Sequence, residues 1–98
     1  MAFHRHTYPI RTILESPIKL VYGWRLDNTE FGFHNNGKNW VATDLYSGLR
    51  ICAGETRKEC VKWISEHEDE IRDKMSEPLY AQRICEFREL LKKEIEEL

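Results

Sequence analysis

"IKLVYGWRLDNTEFGFHNNGKNWVATDL", residues 18–45, decides the fold of this 98-residue chain. Its apolar residues recur with a period of two, and turn formers fill the gaps between them. In residues 18–26, Ile18, Leu20, Tyr22, Trp24 and Leu26 fall on one side and Lys19, Val21, Gly23 and Arg25 on the other, the pattern of a half-buried strand. Asp27-Asn28-Thr29-Glu30 predicts a turn, because short polar side chains bond back to nearby amides, and Phe31-Gly32-Phe33 then resumes the alternation. Asn36-Gly37 predicts a hairpin turn with positive φ at both central positions, joining FGFHN to NWVATDL.

On the C-terminal side, Tyr46-Ser47-Gly48 turns the chain again, and Leu49, Ile51 and Ala53 alternate with Arg50 and Cys52 in a last short strand closed by Gly54. On the N-terminal side, Ile10, Ile13 and Leu14 mark a shorter extended piece, an edge-strand candidate ended by Ser16-Pro17. Residues 1–9 are expected to be loosely ordered, a solvated end that carries His4 and His6.

Thr56-Arg57-Lys58-Glu59 matches a capping box, in which Thr56 accepts from the amide of Glu59 and the Glu59 carboxylate returns to the amide of Thr56. A helix follows, with Cys60, Val61, Ile64, Ile71 and Met75 at helical spacing and Trp63 and His67 on the shoulders of the stripe. Ser76-Glu77-Pro78 interrupts it, since Ser76 can cap and proline is tolerated in the first turn of a new helix. Tyr80, Ile84, Phe87, Leu91 and Ile95, continued by Leu98, then form an apolar seam that Leu79 and Leu90 widen. The expected fold is α+β in one domain, residues 1–98. An antiparallel meander of three to four strands over 10–54 precedes two C-terminal helices over 56–98, the first packed on the sheet.

Composition narrows the function classes. With 41% hydrophobic and 33% charged residues, the chain has the make-up of a water-exposed globular domain. No stretch approaches the roughly 18 apolar residues of a membrane span, so the expectation is a cytoplasmic protein that does not engage membranes. The formal net charge of −2 hides an asymmetry: nine Lys/Arg stand against six Asp/Glu through Lys62, and six against eleven after it.

Nothing in the chain spells out catalysis. Cys52, Cys60 and Cys85 are odd in number and widely spaced, with no Cys-x-x-Cys pair, and read as reduced, mostly buried thiols. Cys60 falls in the first turn of a predicted helix, where the dipole favours a thiolate, but it lies on the apolar stripe. His4 and His6 point the same way in an extended segment, yet two imidazoles do not make a metal site, and no spacing brings His34 or His67 to them. Gly-rich phosphate loops and nucleophile elbows are missing. The expectation is a non-enzyme with no catalytic residues, metal, cofactor or small-molecule substrate.

Binding is left. Three strands followed at once by a capped helix is a layout used by nucleic-acid readers. "GETRKECVKWI", residues 54–64, is similar to the last strand-to-helix junction of double-stranded RNA-binding domains, with Val61 where that family carries its last lysine. The resemblance implies that Arg57 and Lys58 contact phosphates. The strand order also resembles the arm-site binding domains of phage integrases and related plant transcription-factor domains, which lay a sheet into the major groove. That likeness adds Arg25, Lys38 and Arg50 as contacts, with Trp40 beside them. The plainer reading is that the glycines serve a tight meander and that Trp40 is a core residue.

The seam Tyr80, Ile84, Phe87, Leu91 and Ile95 needs a neighbour if the first helix already covers the sheet: the far face of the sheet, the first helix, or another chain, the last meaning a protein partner or self-association. In size, acid balance and density of aromatic residues the chain resembles small single-domain accessory proteins of phages and prophages, including inhibitors of host defence nucleases. That resemblance implies stoichiometric binding, with Glu66, Glu68, Asp69, Glu70 and Asp73 imitating phosphates. Those carboxylates are also what an ordinary solvent face looks like. The leading expectation is a non-enzymatic binding protein acting through a protein partner or as an oligomer; a nucleic-acid-binding module is the alternative.

Overall fold

A computed structural model describes residues 2–12 and 17–96, with the backbone alone for 95 and 96. The chain runs β1 (Phe3–Arg11), β2 (Ile18–Leu26), β3 (Phe31–Asn35), β4 (Trp40–Asp44), β5 (Arg50–Gly54), α1 (Arg57–Glu66), α2 (Glu68–Met75) and α3 (Pro78–Glu96). The strands form one antiparallel sheet in the order β1-β2-β3-β4-β5, so the α+β class stands, while strands and helices among the described residues number five and three rather than three to four and two.

The additional strand is the N-terminus. Residues 3–9, expected to be loose, belong to β1, which pairs with β2 along all nine of its positions, from Phe3↔Leu26 to Arg11↔Ile18. "FHRHTYPIR" hides its strand because only Phe3 and Tyr8 anchor it, one on each face of the sheet. β1 is an edge strand, and Arg11 donates its amide away from β2, to the Gly48 carbonyl at 2.9 Å. Pro9, two residues earlier, therefore lacks its N–H on the side where no sheet partner needs it. The same bond shows the sheet curling until the end of β1 meets the β4–β5 turn. Of the edge piece expected at Ile10, Ile13 and Leu14, Ile10 lies in β1, and the other two, like Ser16, lie outside the described residues.

Register assigns the faces. Phe3, Trp24, Leu26, Phe33, Ala42 and Cys52 share the first face, onto which α1 lowers Cys60 and Ile64. Tyr8, Val21, His34, Val41 and Thr43 share the second face, and all five are buried. Tyr8 lies across Gly32, where a Cβ would come within 2.6 Å of its ring. A side chain at Gly32 would evict that ring from the sheet.

The expected hairpin between β3 and β4 forms, but by another turn. Gly37 has φ 96° while Asn36 does not enter the left-handed region, because asparagine side chains cap the loop: Asn35 Oδ1 accepts from the Gly37 amide (2.8 Å) and Asn36 Oδ1 from those of Lys38 (2.9 Å) and Asn39 (2.8 Å). The capping box forms in one direction. Thr56 Oγ1 accepts from the Glu59 amide at 3.1 Å, whereas Glu59 Oε2 reaches one residue further, to the Glu55 amide at 2.8 Å.

The predicted first helix is broken at His67, without glycine or proline. His67 leaves helical geometry (φ −120°, ψ 24°) and donates its amide to the carbonyls of Trp63 and Ile64. Its Nδ1 donates to the Trp63 carbonyl at 2.7 Å, and its ring stacks on Trp63 at 3.9 Å. Ser76 ends α2 rather than starting the next helix, donating its hydroxyl to the Arg72 carbonyl at 2.9 Å, and Pro78 opens α3 as expected.

Candidate functional site

The two helix breaks build a groove. α2 buries none of its residues fully, reaches the core through half-buried Ile71 and contacts the other two helices, so it forms a wall facing the β4–β5 turn. Between the two lies a groove of about 390 Å³, bounded by Leu49 and Arg50, by Trp63, by Met75 on α2, and by Leu79 and Tyr80 on α3. Its apolar side chains are open to solvent: Leu79 is 52% exposed, Leu49 39%, Trp63 38% and Met75 37%. Exposed Tyr46 adjoins them on the turn.

The floor is polar and fully engaged. Asp44 is buried, and one carboxylate oxygen accepts from the Tyr80 hydroxyl (2.6 Å) and the Ser47 hydroxyl (2.7 Å). Its two oxygens also take the amides of Tyr46 and Ser47. Burial, reinforced by the hydrogen bond to Asp44, pushes the Tyr80 phenol far up, so it is a fixed donor and not a base. At the lip, Arg83 pairs with Glu86 at 3.0 Å, while Arg50, Lys74, Glu70 and Glu77 have no ion pair among the described residues. An apolar centre with a charged, unpaired rim is how protein-docking surfaces are arranged.

The seam expected to meet a partner is in part taken up by the chain itself. α3 crosses the end of the sheet where β1 finishes and β4 turns into β5. Phe87 is 2% exposed and packs on Gly48, where a Cβ would lie 2.5 Å from the ring; Glu86 takes Arg11 at 3.3 Å. With Tyr80 held by Asp44, Ile84 and Leu91 are half-buried, and the side chain of Ile95 lies outside the described residues. The second helix of the sequence reading thus packs on its own sheet.

The acidic residues Glu66, Glu68, Asp69, Glu70 and Asp73 are all exposed along the end of α1 and on α2. Glu66 faces Lys62 at 3.9 Å and Asp69 faces Arg72 at 3.6 Å, both in the spacing of solvated helix pairs.

The five expected nucleic-acid contacts are scattered. Arg25 is on the second face, bound to Glu30 at 2.6 Å and to the Thr29 carbonyl at 2.8 Å. Lys38 is exposed in the β3–β4 loop, Arg50 belongs to the groove, and Lys58 is exposed on α1. Arg57 lies over the first face, its guanidinium 4.2 Å from the Phe3 ring centre, 5.1 Å from Trp24 and 5.7 Å from Trp40. Trp40, whose plainer reading was a core residue, is half-buried and packs against the core cluster rather than belonging to it. Sequence reasoning missed Arg5, whose guanidinium stands 5.1 Å from the Trp24 ring. The missed signal was the pairing of β1, which sets Arg5 opposite Trp24.

Cys60 is buried and Cys52 half-buried, while Cys85, expected to be buried, is exposed on α3. Burial pushes the Cys52 thiol up to about 12 and raises Cys60 as well, so neither supplies a thiolate. His4 binds Asp27 at 2.6 Å, His6 stacks on Tyr8 at 5.9 Å, and Tyr8 meets the ring of His34 at 6.3 Å. The second face thus carries three of the four histidines in a row that spacing alone had not joined. Among the described residues no group of three His, Cys, Asp or Glu could hold a metal ion, and no helix is long and apolar enough to cross a membrane. Comparison with protein-family models, curated proteins and solved structures finds no match to this chain.

Proposed function

We propose that this protein is a non-enzymatic binding module whose groove between the β4–β5 turn and helices α2 and α3 seats an apolar segment of a protein partner. The carrying observation is the clustering of Leu49, Trp63, Met75 and Leu79, each more than a third exposed, around one groove. Apolar side chains scattered singly over a surface need no explanation, but gathered around a concavity with an unpaired charged rim they mark a site of interaction. The rigid Tyr80–Asp44–Ser47 floor supports the reading, because a prearranged site loses little freedom when it is filled. The partner expected is an extended or helical segment with large apolar anchors and both charges on its flanks, to meet the Arg50, Lys74, Glu70 and Glu77 side chains around the groove. Engagement would be stoichiometric, as the resemblance to phage accessory proteins implies.

Selection from a displayed random-peptide library tests this. Enriched peptides should carry paired large apolar residues, and Leu79→Asp should weaken their binding by about tenfold or more while the fold is kept, since Leu79 is half in solvent already. A selection yielding no peptide whose binding depends on Leu79 or Trp63 would refute the groove.

A further inference from the structure

The first face of the sheet is only half covered. Beyond Trp24, β2 extends with no β3 partner, paired only to β1, and together these strands make a wing that α1 does not reach. On that wing Tyr22 is 80% and Leu20 65% exposed, the two most exposed large hydrophobic side chains described. Register sets Thr7 opposite Tyr22 and Arg5 opposite Trp24. At its inner border, Arg5 and Arg57 both stand over the Trp24 ring at 5.1 Å, and neither has an ion pair among the described residues.

We infer that this wing binds single-stranded nucleic acid, with Tyr22 stacking on a base and Arg5 and Arg57, held on Trp24, meeting the flanking phosphates. Three observations converge on that chemistry. The first is an exposed aromatic ring beside an exposed leucine on a solvent-facing strand pair, a surface that offers a stacking face.

Charge is the second. Of the six carboxylates up to Lys62, four are engaged, Asp27 by His4, Glu30 by Arg25, Asp44 by Ser47 and Tyr80, and Glu59 by the Glu55 amide, while the exposed Glu55 side chain pairs with neither arginine and Glu15 lies outside the described residues. The two guanidinium groups on Trp24 are left for an outside anion, and exposed Lys58 adds a third cation one residue beyond Arg57. Stacking on the indole satisfies the flat faces of the guanidinium groups while leaving their N–H edges to donate, which is how arginine serves phosphates.

The third is the choice of strand form. A duplex hides the faces of its bases and would leave Tyr22 and Leu20 without a partner, whereas a single strand offers both bases and phosphates. The inference does not rest on the groove, which lies at the other end of α1.

Fluorescence anisotropy of short labelled oligo(dT) and oligo(U) tests it, on the full chain at two salt concentrations. If three phosphates are neutralised, a fourfold rise in salt weakens binding by about twentyfold. Tyr22→Ser should lower affinity by roughly tenfold or more, and Arg5→Gln should lower both the affinity and the salt slope. Both side chains are exposed, so the variants should fold, which circular dichroism checks; Leu79→Asp in the groove should leave the affinity unchanged. Absence of salt-sensitive binding overturns the inference, as does equal affinity for a duplex of the same sequence. It is also overturned if poly(Glu) binds as well and is indifferent to Tyr22→Ser, since an acidic protein segment would then be the better occupant.

Discussion

Two halves of one sheet face differ in everything except their sequence pattern. Along β2, Ile18, Leu20, Tyr22, Trp24 and Leu26 repeat without a break, yet Ile18 and Leu26 are both 8% exposed while Leu20 and Tyr22 between them are 65% and 80%. α1 and the neighbouring side chains of the same face cover Leu26, α3 crosses the end of the sheet where β2 begins, and nothing described covers the middle. Alternation marks a strand and its two sides; burial of a side depends on whether another element arrives to cover it.

The sharpest way to break the comparison is to empty one half and then the other. Phe33 is fully buried on the covered half, and Phe33→Ala should cost about 3–5 kcal/mol in urea unfolding. Tyr22→Ser on the wing should stay within about 0.5 kcal/mol, as for surface positions without packing partners. Similar losses at the two sites would mean that the wing is covered in solution.

A smaller effect tests the element that crosses the sheet end. Gly48 has φ 71° and admits Phe87 where a Cβ would stand, so Gly48→Ala combines a disfavoured backbone with a clash and should destabilise by about 1–3 kcal/mol. An unchanged denaturation midpoint would mean that α3 does not dock there.

The smallest effect belongs to the second face. Burial, with Lys19 adding to it, lowers the pKa of His34 from its ordinary value, so the folded state resists protonation that the unfolded chain accepts. The stability this contributes is present above the unfolded pKa of about 6.5 and is lost as pH falls from there through the lower folded pKa. Wild type should therefore lose stability over that interval more steeply than His34→Gln, read from urea midpoints at a series of pH values. Equal slopes would place His34 in contact with water.

How much was legible in advance follows from which forces act locally. The β2–β5 meander, the start of α1 at Thr56 and the start of α3 at Pro78 could be read because period, turn chemistry and capping are short-range. β1 could not, since "FHRHTYPIR" carries one large anchor per face, half-buried Phe3 and buried Tyr8, and becomes a strand by pairing with β2. Nor could the break at His67, which rests on a side chain returning to the carbonyl of Trp63 rather than on glycine or proline. The groove depends on that break, because a continuous helix over 57–75 would not set α2 against the β4–β5 turn. Its exposed residues, Leu49, Trp63, Met75 and Leu79, sit in four different segments whose local patterns do not mention one another.

The sequence by itself determined the α+β class, the antiparallel β2–β5 meander and the apolar stripes of α1 and α3, because side-chain periodicity and turn formers act over a few residues. Tertiary structure alone decided that α3 docks on the sheet through Phe87, that α2 walls the groove, and that Arg5 and Arg57 converge on Trp24. Those outcomes depend on which surfaces meet across the fold. Coverage is a property of the assembled chain, since identical alternating patterns are buried or exposed according to what long-range packing brings over them.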